Sequence, residues 1–310
     1  MTMGKLLKLL GALVAFVLWL LLLLVIASFL FNTVTSAGHQ PVRQLWSGKF
    51  VEADGVLTAY QQWGTHGTPI VLIGGFVEPS FVWNEVGPEL ALNHRVYALD
   101  LDGFGYSERR GPWTLKEWGD QVEDFMRKLH LSKPIVVGHS LGAAVAVEIA
   151  HRDLASRIVL LDGDALTIGG PPTLVRSILV HTPFVTSAMR LATRWDWPVR
   201  KLIANAYGTA HPPITGAVVD EWTRPLKAKN AEHALATMAK RPLPGFKRSE
   251  LQPLNVPATV VWGDHDDVDP RSAGEEAAKA LHAPFVLIKG AGHLSMLLNP
   301  TAVAAAIEAS

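Results

Sequence analysis

Pro134-Ile135-Val136-Val137-Gly138-His139-Ser140-Leu141-Gly142, continuing in small and apolar residues from Ala143 to Ala150, is the stretch whose reading decides the fold. Pro134 to Val137 is a short apolar run of the kind that forms a buried strand, and the residues from Leu141 onward suit a closely packed helix. Between them lies Gly-x-Ser-x-Gly, which at a strand-to-helix turn lifts a serine hydroxyl to the top of a sheet. Glycines at 138 and 142 fit because the turn is tight and side chains there would meet neighbouring backbone. Glycine and serine are common residues. The strand before and the helix after make the pattern specific.

Outward from this turn, the chain alternates apolar runs with helical patterns. Strands are expected at Trp46 to Glu52, Leu57 to Trp63, Pro69 to Ile73, Arg95 to Leu101, Pro134 to Val137, Arg157 to Leu161, Ala258 to Trp262 and Phe285 to Lys289. Asp54-Gly55 between the first two is a hairpin signal. Helices are expected at Thr114 to Leu129, from Leu141, at Ser272 to Leu281 and at Thr301 to Glu308. Continuous Val, Ile and Leu runs suit strands covered on both faces, and this alternation predicts a mostly parallel, doubly wound α/β sheet. Asp164 to Ser249 breaks the rhythm with no strand pattern. Helical stretches at Thr173 to Arg194, Ile214 to Arg224 and Asn230 to Lys240 alternate there with prolines, predicting an inserted helical cap over about 167–250. Trp195, Trp197, Trp222, Phe184 and Met189 give that cap an apolar complement.

The chain of 310 residues carries 28 basic and 28 acidic side chains, without a basic cluster, which argues against a nucleic-acid partner. It has no cysteine, so disulfides, thiolate metal sites and cysteine nucleophiles are excluded, and the redox compartment stays open. After a basic segment at 1–8, Leu9 to Phe31 is 23 residues without a charge. As a helix it spans roughly 34 Å, the thickness of a bilayer's hydrocarbon core. The apolar region of a secretory signal is only about 7–15 residues, although Thr35-Ser36-Ala37 is small enough to invite cleavage. A single transmembrane anchor over 9–31 is therefore expected, with a tether over 32–45 and the folded domain over 46–310. Lys5 and Lys8 before the span favour a cytoplasmic N-terminus and a domain on the other side, a bias weakened by Arg43 and Lys49 after it.

A serine hydroxyl needs an adjacent base, itself oriented by a third group. Trp262-Gly263-Asp264-His265-Asp266-Asp267-Val268-Asp269-Pro270 follows one strand candidate, and Gly290-Ala291-Gly292-His293 follows the last. The order is thus Ser, Asp, His. With the turn at Ser140 and the run Asp100-Leu101-Asp102-Gly103-Phe104-Gly105-Tyr106-Ser107, these pieces resemble the α/β-hydrolase fold family, which includes esterases, lipases and meta-cleavage-product hydrolases. The resemblance covers nearly everything from residue 46 onward, and the joint occurrence in order is more specific than any piece.

The resemblance implies Ser140 as nucleophile, His293 as general base and Asp266 as orienting acid. Asp264, Asp267 and Asp269 are rivals on the same loop, and Asp162 and Asp164 follow the sixth strand, where some relatives keep the acid. It further implies an oxyanion hole from the backbone N–H groups of Leu141 and, in Gly74-Gly75-Phe76-Val77, of Phe76. Relatives commonly have His-Gly in that loop, so Gly74 departs from the pattern. His139 is expected to pack, not react; His94, His130, His151 and His282 are expected at the surface; and His181, His211 and His233 fall in the cap. No metal or organic cofactor is required. The expectation is a membrane-anchored serine hydrolase of carboxylic esters with an apolar or lipid-like small-molecule substrate. Carbon–carbon bond hydrolysis, amide hydrolysis and acyl transfer are alternatives on the same machinery, and a non-catalytic receptor or scaffold is a third reading. A serine at 140 argues against dehalogenase or epoxide hydrolase chemistry, which uses aspartate there.

Overall fold

The computed structural model describes residues 2–35, 38–169, 172, 174–177, 183–208, 211–251 and 254–310. Eight strands form one sheet: β1 (Lys49–Ala53), β2 (Val56–Trp63), β3 (Pro69–Ile73), β4 (Arg95–Leu99), β5 (Ile135–His139), β6 (Arg157–Leu161), β7 (Ala258–Gly263) and β8 (Phe285–Ile288). Their order is β1-β2-β4-β3-β5-β6-β7-β8. Only β2 runs antiparallel to its neighbours β1 and β4, and every other pairing is parallel. Asp54 and Gly55 turn the β1–β2 hairpin with φ of 47° and 70°, both in the region the favoured two-residue turn demands.

Side chains of successive strand residues point to opposite faces, so a continuous apolar run serves two cores at once. Val71 and Ile73 of β3, Val136 of β5 and Ile158 and Leu160 of β6 pack with the helices Leu115–Lys128 and Leu141–His151. Ile70 and Leu72, Val137, and Val159 and Leu161 instead meet Trp83, Val86–Leu90 and Pro300–Ala309 on the other face. Thr114 caps the first of these helices, its hydroxyl accepting from the Glu117 N–H. Sheet and flanking helices form an α/β-hydrolase fold.

The insertion between β6 and β7 is helical: Phe184–Arg194, Asp196–Tyr207, Gly216–Thr223, Ala231–Met238 and the short Arg248–Leu251. The helix at Asp196–Tyr207 is absent from the sequence expectation because Pro198 there reads as a breaker. Pro198 stands in the first helical turn, where its missing N–H is no loss. Of the stretch expected from Thr173 to Arg194, Leu174–Ser177 and Phe184–Arg194 are helical, while residues 173 and 178–182, including His181, lie outside the described residues.

The N-terminal helix runs Met3–Val34 and contains the expected span 9–31; Lys5 and Lys8, good helix formers, carry it on toward the N-terminus. It is long and apolar enough to cross a membrane. Its last turns dock on the cap helix Phe184–Arg194. The Ser28 and Ser187 hydroxyls are 2.5 Å apart, and the Asn32 side-chain amide donates to the Pro183 carbonyl at 3.1 Å. Arg190 donates to the Asn32 carbonyl at 2.5 Å and pairs with Glu232 of the next cap layer at 2.9 Å. The expected tether is also structured in part: Val42–Leu45 is a helical turn and Gln40 bridges to Ala228 of the cap. The expected first strand, Trp46 to Glu52, forms as β1 three residues later, since Trp46 stacks on Tyr106 at 5.4 Å instead of joining the sheet.

Candidate active site

Ser140 follows β5 directly and opens the helix Leu141–His151 with φ of 50°, a left-handed conformation that costs a non-glycine residue about 1–3 kcal/mol. Its neighbours make that turn possible. A Cβ on Gly138 would lie 2.1 Å from the Gly142 carbonyl oxygen, and one on Gly142 would lie 2.6 Å from the Ile73 carbonyl oxygen. Both positions must be glycine for the turn to press against the end of β3.

His293, buried on the loop after β8, brings Nε2 to 3.1 Å from Ser140 Oγ. Its Nδ1 lies 2.8 Å from Asp266 Oδ2, and the other Asp266 oxygen accepts the Val268 and Asp269 N–H groups at 2.8 and 3.0 Å. The Asp266 side chain is fully buried. This is the geometry of an alcohol, a base and an orienting acid in series.

The rival acids have other partners. Asp162 Oδ1 accepts the Gly263 N–H at 2.6 Å and its other oxygen accepts the Ser295 hydroxyl. Asp264 accepts the Gly290 N–H at 2.7 Å, and Asp164 the Leu166 N–H at 2.9 Å. Asp267 is exposed, and Asp269 lines the cavity above the serine. Asp100 organises the loop after β4, accepting the Ser80 and Tyr106 N–H groups at 2.5 and 2.7 Å. Its burial pushes the carboxyl up to about 6 despite those donors.

Leu141 opens its helix, so its N–H is among those without an intrahelical acceptor. Gly75 lets the Gly74–Val77 loop close on the serine, for a Cβ there would stand 2.8 Å from Ser140 Cβ. Phe76 lies on that loop and lines the same cavity as Ser140 and His293. The cavity, about 580 Å³, is walled by cap residues including Ile203, Trp222, Leu226 and Leu243. Among its described lining residues the only charged ones are Glu78, Asp269 and, when protonated, His293.

His139 has polar partners that the sequence did not show. Its ring does more than pack: fully buried, it has Nδ1 2.7 Å from Glu78 Oε2 and Nε2 2.7 Å from the His293 carbonyl oxygen. Burial alone would depress its basicity, but the Glu78 carboxylate outweighs it and pushes the imidazole up to about 9. Burial alone would raise Glu78, yet the His139 charge and hydrogen bond hold its carboxyl below the ordinary value. Glu78 escaped the sequence reading altogether. The available signal was a lone charge in the run from Gly74 to Trp83. Two of the other histidines have partners of their own: His94 bonds the Thr68 carbonyl and Glu308, and His233 lies beside Trp113.

A family model described as the alpha/beta hydrolase family matches residues 70–306. The chain belongs to the α/β-hydrolase family. This hydrolase is 25% identical over 237 residues to an uncharacterised hydrolase of Bacillus subtilis strain 168, covering 74% of this chain and 83% of that protein. Among solved structures, a membrane phospholipase A described as a bacterial virulence factor superposes with a TM-score of 0.69 at 22% identity, covering 99% of this chain and 97% of that one. A thermophilic esterase from Thermogutta terrifontis gives a TM-score of 0.67 at 24% identity, covering 84% and 96%. Both likenesses concern the fold. The first, by its coverage, takes in the N-terminal helix of this hydrolase.

Proposed function

We propose that this hydrolase is a membrane-anchored serine esterase that cleaves carboxylic esters with apolar or lipid-like acyl groups. The observation that carries the reading is the series Ser140–His293–Asp266, whose serine and histidine line an apolar cavity. Ser140 Oγ attacks the ester carbonyl carbon while His293 Nε2 takes its proton, and Asp266 holds the imidazole by Nδ1 and stabilises its charged form. The developing oxyanion is met by the Leu141 and Phe76 N–H groups. His293 returns the proton to the departing alcohol, leaving an acyl-enzyme. It then deprotonates a water that attacks the acyl carbon, and the acid leaves with Ser140 restored.

Cavity chemistry supports an ester with an apolar acyl chain over a dienone acid, a carbon–carbon hydrolase substrate. A bound carboxylate calls for a cationic partner, and none of the described lining residues is Lys or Arg. The apolar helix Met3–Val34 and the likeness to a membrane phospholipase support a substrate drawn from or near a lipid phase. Lys5 and Lys8 ahead of the apolar run support a domain on the non-cytoplasmic side.

The test is labelling of detergent-solubilised full-length protein with a fluorophosphonate, together with hydrolysis of p-nitrophenyl esters of increasing chain length. Labelling at Ser140, rising turnover toward longer chains and a loss of about 10⁴-fold or more in Ser140→Ala are expected. A protein that stays unlabelled while folded would exclude this reading.

A further inference from the structure

We propose that Glu78 and His139 are a positioning pair that locks three separate loops of the active site into one register: the oxyanion loop, the serine turn and the loop carrying His293. The proposal rests on the serine-esterase reading and deepens it.

Hydrogen-bond polarity makes the case. The His293 carbonyl oxygen, 2.7 Å from His139 Nε2, only accepts, so that nitrogen must carry a proton. On the other side, Glu78 Oε2 already accepts the Gly75 N–H at 2.6 Å and lies 2.7 Å from His139 Nδ1. Glu78 is held below its ordinary value and so is a carboxylate at neutral pH, and a carboxylate oxygen facing two donors needs a proton on Nδ1 as well. His139 is therefore an imidazolium donating from both nitrogens, and Glu78 its counter-ion. Among the groups facing it from other elements, Asp162 Oδ2 lies 3.9 Å from Nε2 and favours that charge, while the His293 ring, its centroid 4.9 Å away, opposes it only when protonated.

Each contact of the pair ends on a working part of the site. Gly75 precedes Phe76, His139 precedes Ser140, and the accepted carbonyl belongs to His293 itself. The loops are far apart in sequence, and one carboxylate oxygen with one imidazolium ties them together. Neutralising the pair breaks at least one tie. An amide at 78 that keeps the Gly75 bond leaves a neutral ring with one proton to share between two acceptors. An amide turned to serve the ring leaves the Gly75 N–H unmet. Gly74 belongs to the same arrangement, since a Cβ there would come within 3.2 Å of Glu78 Cβ.

The experiment compares wild type, Glu78→Gln, His139→Gln and the double variant, each as full-length protein in detergent, with turnover counted per serine titrated by fluorophosphonate so that unfolded material drops out. We expect kcat per titrated serine to fall about 10–100-fold in each single variant with KM changed by less than about 3-fold. The double variant should be no worse than the poorer single, because both break the same unit. Should Glu78→Gln not accumulate folded protein, His139→Gln carries the same comparison. Unchanged kcat per titrated serine, or losses that multiply in the double variant, would overturn the positioning role. A wild type unlabelled at Ser140 would instead remove the esterase reading beneath it.

Discussion

Asp266 and Asp162 occupy the ends of adjacent strands, yet their hydrogen bonds divide the labour between them. Asp266 faces His293 Nδ1, and Asp162 serves the Gly263 N–H and the Ser295 hydroxyl. Asp266→Asn keeps the shape but cannot hold the imidazolium, so a fall in kcat of about 10⁴-fold is expected, read by ester turnover. Asp162→Asn should leave turnover within about 10-fold, since its partners do not touch the reacting atoms. The His139 pair also predicts a pH dependence of stability. Its imidazole rises from the ordinary 6.5 to about 9 on folding, so its contribution is complete below pH 6.5 and is lost as pH climbs through 9. Glu78 shifts down from 4.5, so its share is present above 4.5 and disappears on acidification. Asp162, pushed up from 3.8 to about 6 by burial, is neutral at no cost below 3.8 and destabilises as pH rises through 6. Calorimetric unfolding midpoints should therefore fall between pH 7 and 10 in wild type, and His139→Gln should show a visibly flatter slope over that window.

At the scale of elements, the serine turn and the end of β3 are one packing unit. Gly142→Ala would drive a methyl against the Ile73 carbonyl, a backbone atom that cannot swing aside. A loss of about 1–3 kcal/mol in chemical unfolding, with reduced fluorophosphonate labelling of the folded fraction, is expected. The strands were legible in the sequence because burial on both faces writes itself as unbroken Val, Ile and Leu. The serine turn, the acidic loop 264–269 and the run ending at His293 were legible because each follows a strand, but only the resemblance chose Asp266 among that loop's carboxylates, and its hydrogen bond to His293 Nδ1 depends on a fold the residues alone do not show. What was hidden depends on contacts between distant segments. Pro198 looks like a helix stop until its place in a first turn is known, and His139 looks inert until Glu78, from another loop, arrives against it. Likewise the linker gave no sign that Gln40 would bridge to Ala228, since a single bridge leaves no periodic trace.

The whole molecule is a catalytic sheet, a helical cap and one long apolar helix whose side chains are almost all exposed outside its contact with the cap. Because the two hydrophobic cores draw nothing from Met3–Val34, deleting residues 2–35 should leave a domain that folds and hydrolyses short soluble esters. Sedimentation with lipid vesicles should show the full chain in the pellet and the truncated one in the supernatant. Release of the cap from Ser28 and Asn32 should appear as faster amide exchange in Phe184–Arg194.

The cap leaves the sheet after β6 and returns at β7, strands that are already paired neighbours, and its two stems touch at Leu166 with Phe246 and at Ile168 with Leu243. A detour that departs and rejoins at one spot is interchangeable in principle. Grafting a foreign cap across those stems would alter which molecules are admitted while the alcohol, imidazole and carboxylate, all rooted in the sheet, kept their bearings. On the proposed function, much of the selectivity would sit on one cassette and the reactivity on another, free to diverge at different speeds.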